Sequence, residues 1–245
     1  MSPASLAGSD GLLSTCPMAE AACGPGAGAS CAVEAMVESS SADWGSYRRA
    51  KRVLDVVFSL VVLAGLSGGL LLIALAIKWE NAKAPVIFKQ TRIGKNGRPF
   101  TLYKFRTMCV DAEEQLFALR DMNKRAAPLF KMSNDPRVTP VGRFLRKMAL
   151  DELPQFVNVI KGDISVVGPR PMLPAEIDAC TPCQRKRLLI DQGITCYWQT
   201  RKNRDHISFD EHIGLDLLYV KKCSVWTDAK LVIQTVGTVL MGQGD

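Results

Sequence analysis

Histidine is nearly absent from this 245-residue chain, which has two copies, His206 and His212. So few imidazoles leave no histidine-based metal centre, and no serine–histidine–acid arrangement is recognisable. A Walker-type glycine loop is also missing, so that backbone cradle for phosphates is excluded. Basic residues do not occur before Arg48, while the first 47 positions hold five acidic ones, Asp10, Glu20, Glu34, Glu38 and Asp43. No secretory leader is expected, because no basic start precedes a long enough apolar stretch ahead of Tyr47. The eight cysteines are accordingly expected as free thiols in a reducing cytosol rather than as a disulfide framework. Cys180-Thr-Pro-Cys183 has metal or redox spacing but no second pair to complete a zinc site.

With 47% hydrophobic residues the chain can bury one substantial domain, with or without an anchor. Residues 48–245 hold all 31 Lys and Arg against 19 acidic residues, about +12, so anionic partners are expected. Residues 1–43 include 23 Ala, Ser or Gly and cannot bury enough apolar surface to offset the entropy of ordering. Residues 1–47 therefore read as a disordered tail.

From Val56 to Ile77, 22 consecutive residues carry no charge. As a helix this run is about 33 Å long at ~1.5 Å per residue, enough to cross a bilayer. Arg48, Arg49, Lys51 and Arg52 precede it and Lys78 and Lys83 follow it, so the positive-inside rule sets no orientation. Ser67-Gly68-Gly69 at its centre are poor helix formers that let the chain bend and return to the same face. The expectation is a re-entrant anchor over 48–83, broken at Ser67 and Gly68. Composition leaves open a straight transmembrane helix or a buried core helix.

Residues 85–106 read as two short strands joined by a turn at Asn96-Gly97. Six basic residues and no acidic one lie between Pro85 and Met108, a charge run suited to lipid headgroups or phosphates beside a membrane segment. Acids begin and bases end an amphipathic helix over 111–125. Further helices are expected over Val141–Leu150, from near Asp151 to Gly162, from the Ser208–Glu211 capping box to about Lys222, and over Trp226–Met241. Few strands and several helices predict a compact, mainly helical α+β domain over 84–245.

The densest chemical feature is Leu150-Asp-Glu-Leu-Pro-Gln155, followed by Gly168-Pro-Arg-Pro171. Adjacent carboxylates at a helix start are held ionised by the dipole and free N–H groups, as suits a nucleophile or a magnesium ligand. Acids in first turns are also commonly there for stability alone. Arg170, fixed between two rigid prolines, presents a forked guanidinium suited to phosphate. Arg137, Arg143 and Arg146 add positive charge near Asp151 and Glu152 in sequence.

Five segments together resemble the bacterial sugar transferases, the monotopic phosphoglycosyl transferases, over about residues 51–245. They are Lys51-Arg-Val-Leu-Asp55, Phe88-Lys-Gln-Thr-Arg-Ile-Gly-Lys-Asn-Gly97, Tyr103-Lys-Phe-Arg-Thr-Met108, Leu150–Gln155 and Gly162-Asp-Ile-Ser-Val-Val-Gly-Pro-Arg-Pro171. The resemblance implies transfer of a sugar 1-phosphate from a UDP-sugar to polyprenyl (undecaprenyl) phosphate at the cytoplasmic face of the bacterial inner membrane. UMP leaves, and exopolysaccharide, capsule or glycan assembly begins. It also implies Asp151 as nucleophile through a covalent phospho-sugar intermediate, Glu152 as its acidic partner, and Mg2+ near both. Arg170 is implied as the phosphate-binding arginine, with Arg146 and Arg137 as further candidates.

The chain departs from the family pattern at Gly68, where the membrane helix usually continues Ser-Pro, and at Ala149, where a small hydroxyl residue is common. Cys196, Tyr197 and Arg201-Lys202 replace small and apolar residues around the Gly193-Ile-Thr frame, so the sugar is not named. A catalytically idle adaptor binding anionic lipid is the alternative, disfavoured because an adaptor needs no adjacent carboxylates in a basic field. Nucleic acid is not an expected partner, since the apolar anchor comes with no recognisable binding motif.

Overall fold

The computed structural model describes residues 41–112, 114–115, 135–201 and 207–241. Residues 1–40, His206 and most of the helix expected over 111–125 lie outside the described residues. The apolar run forms two helices, α1 (Ser41–Gly65) and α2 (Ser67–Glu80), bent by 63° relative to one another. No single helix among the described residues is long and apolar enough to cross a membrane.

The bend falls at Leu66, one residue ahead of the expected break at Ser67 and Gly68. Ser67 Oγ donates to Ala64 O at 2.9 Å, a local side-chain bond of the kind that competes with the helical ladder. A Cβ at Gly68 or Gly69 would meet nothing within 4 Å, so no close contact requires glycine there. Val53, Leu54, Val57, Leu60 and Val61 of α1, and Leu71, Leu72 and Leu75 of α2, are each more than half exposed.

α1 reaches back to Ser41, into the segment expected as tail, because its first turns find partners in the folded domain. Tyr47 Oη and Lys51 Nζ donate to Asp228 Oδ2 at 2.9 and 2.7 Å. Arg52 donates to the carbonyls of Val159 and Ile160. Asp55 accepts from Ser165 Oγ at 2.7 Å and Val166 N at 3.2 Å. In α2, Ile77 is buried against Phe105 and Leu145, so both halves of the bent pair are packed on the domain.

The expected hairpin forms with β1 (Ile87–Ile93) antiparallel to β2 (Pro99–Phe105), pairing Ile87 with Phe105 and Ile93 with Pro99. Asn96 and Gly97 turn it at φ 55° and 75°, the left-handed conformations these residue types tolerate best. Then come α3 (Pro140–Lys147), capped by Thr139 Oγ1 accepting from Gly142 N, and α4 (Gln155–Lys161), ended by Gly162 at φ 90°. β3 (Ser165–Val167) and β4 (Gly193–Thr195) form a short parallel pair that flanks α5 (Pro174–Asp178) in sequence. α6 (Phe209–Lys222) and α7 (Val225–Leu240) complete the fold, with Ser208 and Ser224 as side-chain caps.

The principal core gathers Leu102 of β2, Val159 of α4, Val166 and Val167 of β3, Tyr219 and Val220 of α6 and Leu231 of α7. Its tightest point is the β3–β4 contact. A Cβ on Gly193 would lie 2.1 Å from Gly168 N, and one on Gly168 would lie 2.4 Å from Asp191 O. Both obstacles are backbone, which cannot move aside as a side chain can. Gly193→Ala is therefore expected to cost about 3 kcal/mol or more, read as a fall in the thermal unfolding midpoint in detergent. Gly69→Ala, with open space around it, should leave that midpoint within a few degrees of wild type.

Candidate active site

Leu150–Glu152 form a single 3-10 turn rather than the first turn of α4, which begins at Gln155 after Pro154. Ala149 enters the turn at φ 50°, ψ 23°, a left-handed conformation that costs an alanine roughly 1–2 kcal/mol. The expectation that a helix dipole holds the carboxylates is thereby corrected. A side-chain cation takes that place: Lys104 Nζ, from β2, lies 2.7 Å from Glu152 Oε1 and 3.8 Å from Asp151 Oδ2. Asp151 is buried, and Lys104 and Glu152 are partly so.

Lys104 and Glu152 line a narrow cleft, together with Arg92, Gln155, Arg170 and Gln199. The hairpin, the 3-10 turn, the segment after β3 and the segment after β4 thus converge on one place. Arg170 lies over the Trp198 ring, its Cζ 5.4 Å from the centroid, a cation–π contact that orients the guanidinium plane. Arg92 is buried; its Nε and Nη2 donate to Gln90 Oε1 at 3.0 and 2.6 Å, and Nη1 donates to Pro171 O at 3.1 Å. Burial and then the Arg170 charge push the Arg92 pKa down to about 10, so Arg92 stays cationic at neutral pH. Two guanidiniums that repel across a cleft gain from an anion placed between them.

Behind Arg170 lies a buried ion pair. Arg187, on the 3-10 turn Gln184–Leu189, donates through Nη2 to Asp216 Oδ2 of α6 and to Arg170 O at 2.7 Å. Both side chains are almost fully buried. Burial pushes the Asp216 carboxyl up to about 6, so the pair is predominantly charged at neutral pH and is lost as pH falls through 6. The pair fixes the backbone that presents Arg170.

Glu152 and Arg170 share the cleft lining, and Asp151 lies next to it, 3.8 Å from Lys104, whereas two other candidates have partners elsewhere. Arg146 Nε donates to Thr107 Oγ1 at 3.0 Å. Arg137 is buried and grips both oxygens of Asp135, through Nε at 2.9 and 3.2 Å and Nη2 at 2.6 Å. Those hydrogen bonds hold the Asp135 carboxyl below its usual range. Sequence reasoning assigned no site role to Lys104, Arg92, Gln155 or Gln199. The charge run of the hairpin carried the signal for the first two.

The bacterial sugar transferase family profile matches residues 46–242, and the chain belongs to that family. It is 41% identical over 199 residues to the galactosyl transferase CpsE of Streptococcus agalactiae, covering 81% of this chain and 44% of that protein. With the undecaprenyl-phosphate galactose phosphotransferase of Salmonella typhimurium the identity is 38% over 203 residues, covering 81% and 42%. The chain thus spans less than half the length of those two curated relatives. The exopolysaccharide production protein ExoY of Rhizobium meliloti is nearer in size, 37% identical over 199 residues that cover 80% and 87%.

Breaking only one side of the buried pair, as in Arg187→Met, is expected to cost about 3 kcal/mol or more because a charge is left buried alone. The double variant Arg187→Met/Asp216→Leu should recover most of that stability. If the pair positions Arg170, the double variant will still show a donor KM raised about tenfold with a smaller change in kcat, since bidentate phosphate contact depends on geometry. Wild-type KM in a stably folded double variant would remove the positioning role.

Proposed function

We propose that the chain transfers a sugar 1-phosphate from a UDP-sugar to polyprenyl (undecaprenyl) phosphate, giving polyprenyl-diphosphate-sugar and UMP and initiating exopolysaccharide, capsule or glycan assembly. The observation that carries this reading is the cleft where Lys104 pairs with Glu152 and lies 3.8 Å from Asp151, with Arg92 and Arg170 in the same lining. Phosphoryl transfer requires in-line positioning and neutralised charge more than proton movement, and the cleft supplies a carboxylate nucleophile in a cationic setting. Relatives named for undecaprenyl-phosphate galactose and glucose transfer support the acceptor and the UDP-sugar donor.

In this mechanism Arg92 and Arg170 bind the donor diphosphate and turn its sugar-bearing phosphorus toward Asp151. An Asp151 oxygen attacks that phosphorus, the bond to the UMP oxygen breaks, and UMP leaves with the electron pair. The sugar phosphate is then carried as a mixed anhydride on Asp151 until an oxygen of polyprenyl phosphate displaces the carboxylate. Lys104 holds Glu152 and offsets the negative charge that the incoming phosphate meets.

No group of three or more His, Cys, Asp or Glu side chains arranged for a metal ion occurs among the described residues. The adjacent carboxylates nevertheless fit Mg2+, a hard cation that commonly takes one or two carboxylates and completes its shell with phosphate oxygens and water. Asp151 and Glu152 would hold it, and bound Mg2+ would neutralise diphosphate charge.

The exposed apolar faces of α1 and α2 and the basic residues at both ends support a re-entrant, monotopic anchor in the inner membrane, with the domain at its cytoplasmic face among membrane lipids. Both ends of the anchor then lie on one side, with the packed ends of α1 and α2 on the same domain.

Donor alone, without polyprenyl phosphate, is expected to release close to one UMP per active enzyme in a rapid phase, and Asp151→Asn should abolish that phase with membrane binding intact. UMP release that strictly requires polyprenyl phosphate would replace the covalent route with direct attack by the lipid. No release from any UDP-sugar, with or without acceptor, would favour the idle adaptor.

A further inference from the structure

A second cavity lies away from Asp151 and Glu152, where the first turns of α1 cross the end of α4 and the start of β3. It is open to solvent, has a volume of about 530 Å³, and is lined by Arg48, Arg49, Lys51 and Arg52. We propose that this cavity binds the phosphate of an anionic lipid headgroup, as a site separate from the catalytic cleft. The proposal rests on the membrane association argued above and adds to it a defined headgroup position.

The charge balance of the cavity carries the inference. Of its two carboxylates, Asp191 pairs with Lys95 at 3.1 Å, and Asp55 accepts from the neutral donors Ser165 Oγ and Val166 N, which leave it one negative charge. Lys51 is offset by Asp228 at 2.7 Å. Arg52 is fixed by the carbonyls of Val159 and Ile160, which leave its positive charge uncompensated. Arg48 and Arg49 are exposed and form no ion pair among the described residues. Three guanidinium charges on adjoining turns of one helix therefore face a single cavity against one carboxylate, Asp55, that forms no ion pair among the described residues, and a phosphate is the group their forked donors fit.

The location selects a lipid over a soluble phosphate. The uncharged run begins at Val56, four residues after Arg52, and Val53, Leu54 and Val57 are already more than half exposed. The cavity thus sits at the depth where an apolar helix meets headgroups, and basic residues just outside such a helix are held by anionic lipid.

Gly45 makes the cavity testable apart from its charge, because it lines the cavity and a Cβ there meets nothing within 4 Å. Gly45→Trp would fill the space without altering net charge. The measurement is flotation of the full chain with vesicles of phosphatidylcholine alone or with one third phosphatidylglycerol. Wild type should prefer the anionic vesicles by about tenfold or more, and both Gly45→Trp and Arg48→Gln/Arg49→Gln should lose most of that preference. Both variants should bind neutral vesicles like wild type and keep wild-type turnover in detergent. Lys221→Gln/Lys222→Gln, which removes two exposed charges elsewhere, should keep the preference.

Full preference in Gly45→Trp would show diffuse attraction and overturn the site. Loss of the preference in millimolar pyrophosphate, with charge screening matched by chloride salt, would assign the cavity to a soluble phosphate instead. A wild type that binds both vesicle types equally overturns the headgroup site alone. One that floats with neither overturns the membrane reading as well.

Discussion

One cation holds the site together. Lys104 lies against Glu152 and near Asp151, and without it two adjacent carboxylates, one buried and one partly buried, would lose the cation closest to Glu152. Its position is set by secondary structure. The left-handed turn at Asn96 and Gly97 fixes the hairpin register, and Phe105, the next residue, is buried against Ile77 of α2 and Leu145 of α3. The apolar helix pair thus packs against the strand that carries the lysine, linking that pair to the carboxylates.

The opposite side of the cleft holds two cations close together. Arg92 is depressed to about 10 by burial and by Arg170, a cost that Glu176, 3.8 Å away, offsets in part. The Arg187–Asp216 pair and Pro171 O fix where these two guanidiniums stand. Such an arrangement favours an anionic ligand over a neutral one, because a bound anion relieves the repulsion further. Arg137, by contrast, has its carboxylate beside it and serves the local structure around Ala112.

Much of the architecture was legible in the residue order. Asn96-Gly97 between apolar-alternating runs specified the hairpin, and Ser208 with Glu211 specified the start of α6, because turn and cap chemistry is local. Asp151, Glu152 and Arg170 were legible from their unusual company. The parallel β3–β4 pair was not, since three-residue strands 28 positions apart carry no periodicity, and the close approach of Gly168 to Gly193 is a tertiary fact. The start of α4 was misplaced because Ala149 turns left-handed, which propensity disfavours in an alanine. Lys104 and Arg92 were visible as charge but not as site residues, because which face of a strand meets the carboxylates depends on packing from distant segments.

The most direct test of the covalent account is the chemical state of one peptide. Trypsin should release Met148–Lys161, which contains Asp151 and Glu152 and no internal Lys or Arg. After acid quench of enzyme mixed with UDP-sugar donor alone, mass spectrometry should find this peptide heavier by one sugar phosphate, with fragmentation placing the added mass on Asp151. An unmodified peptide in an enzyme that turns over with acceptor present, or the adduct on another residue, would contradict Asp151 as the nucleophile.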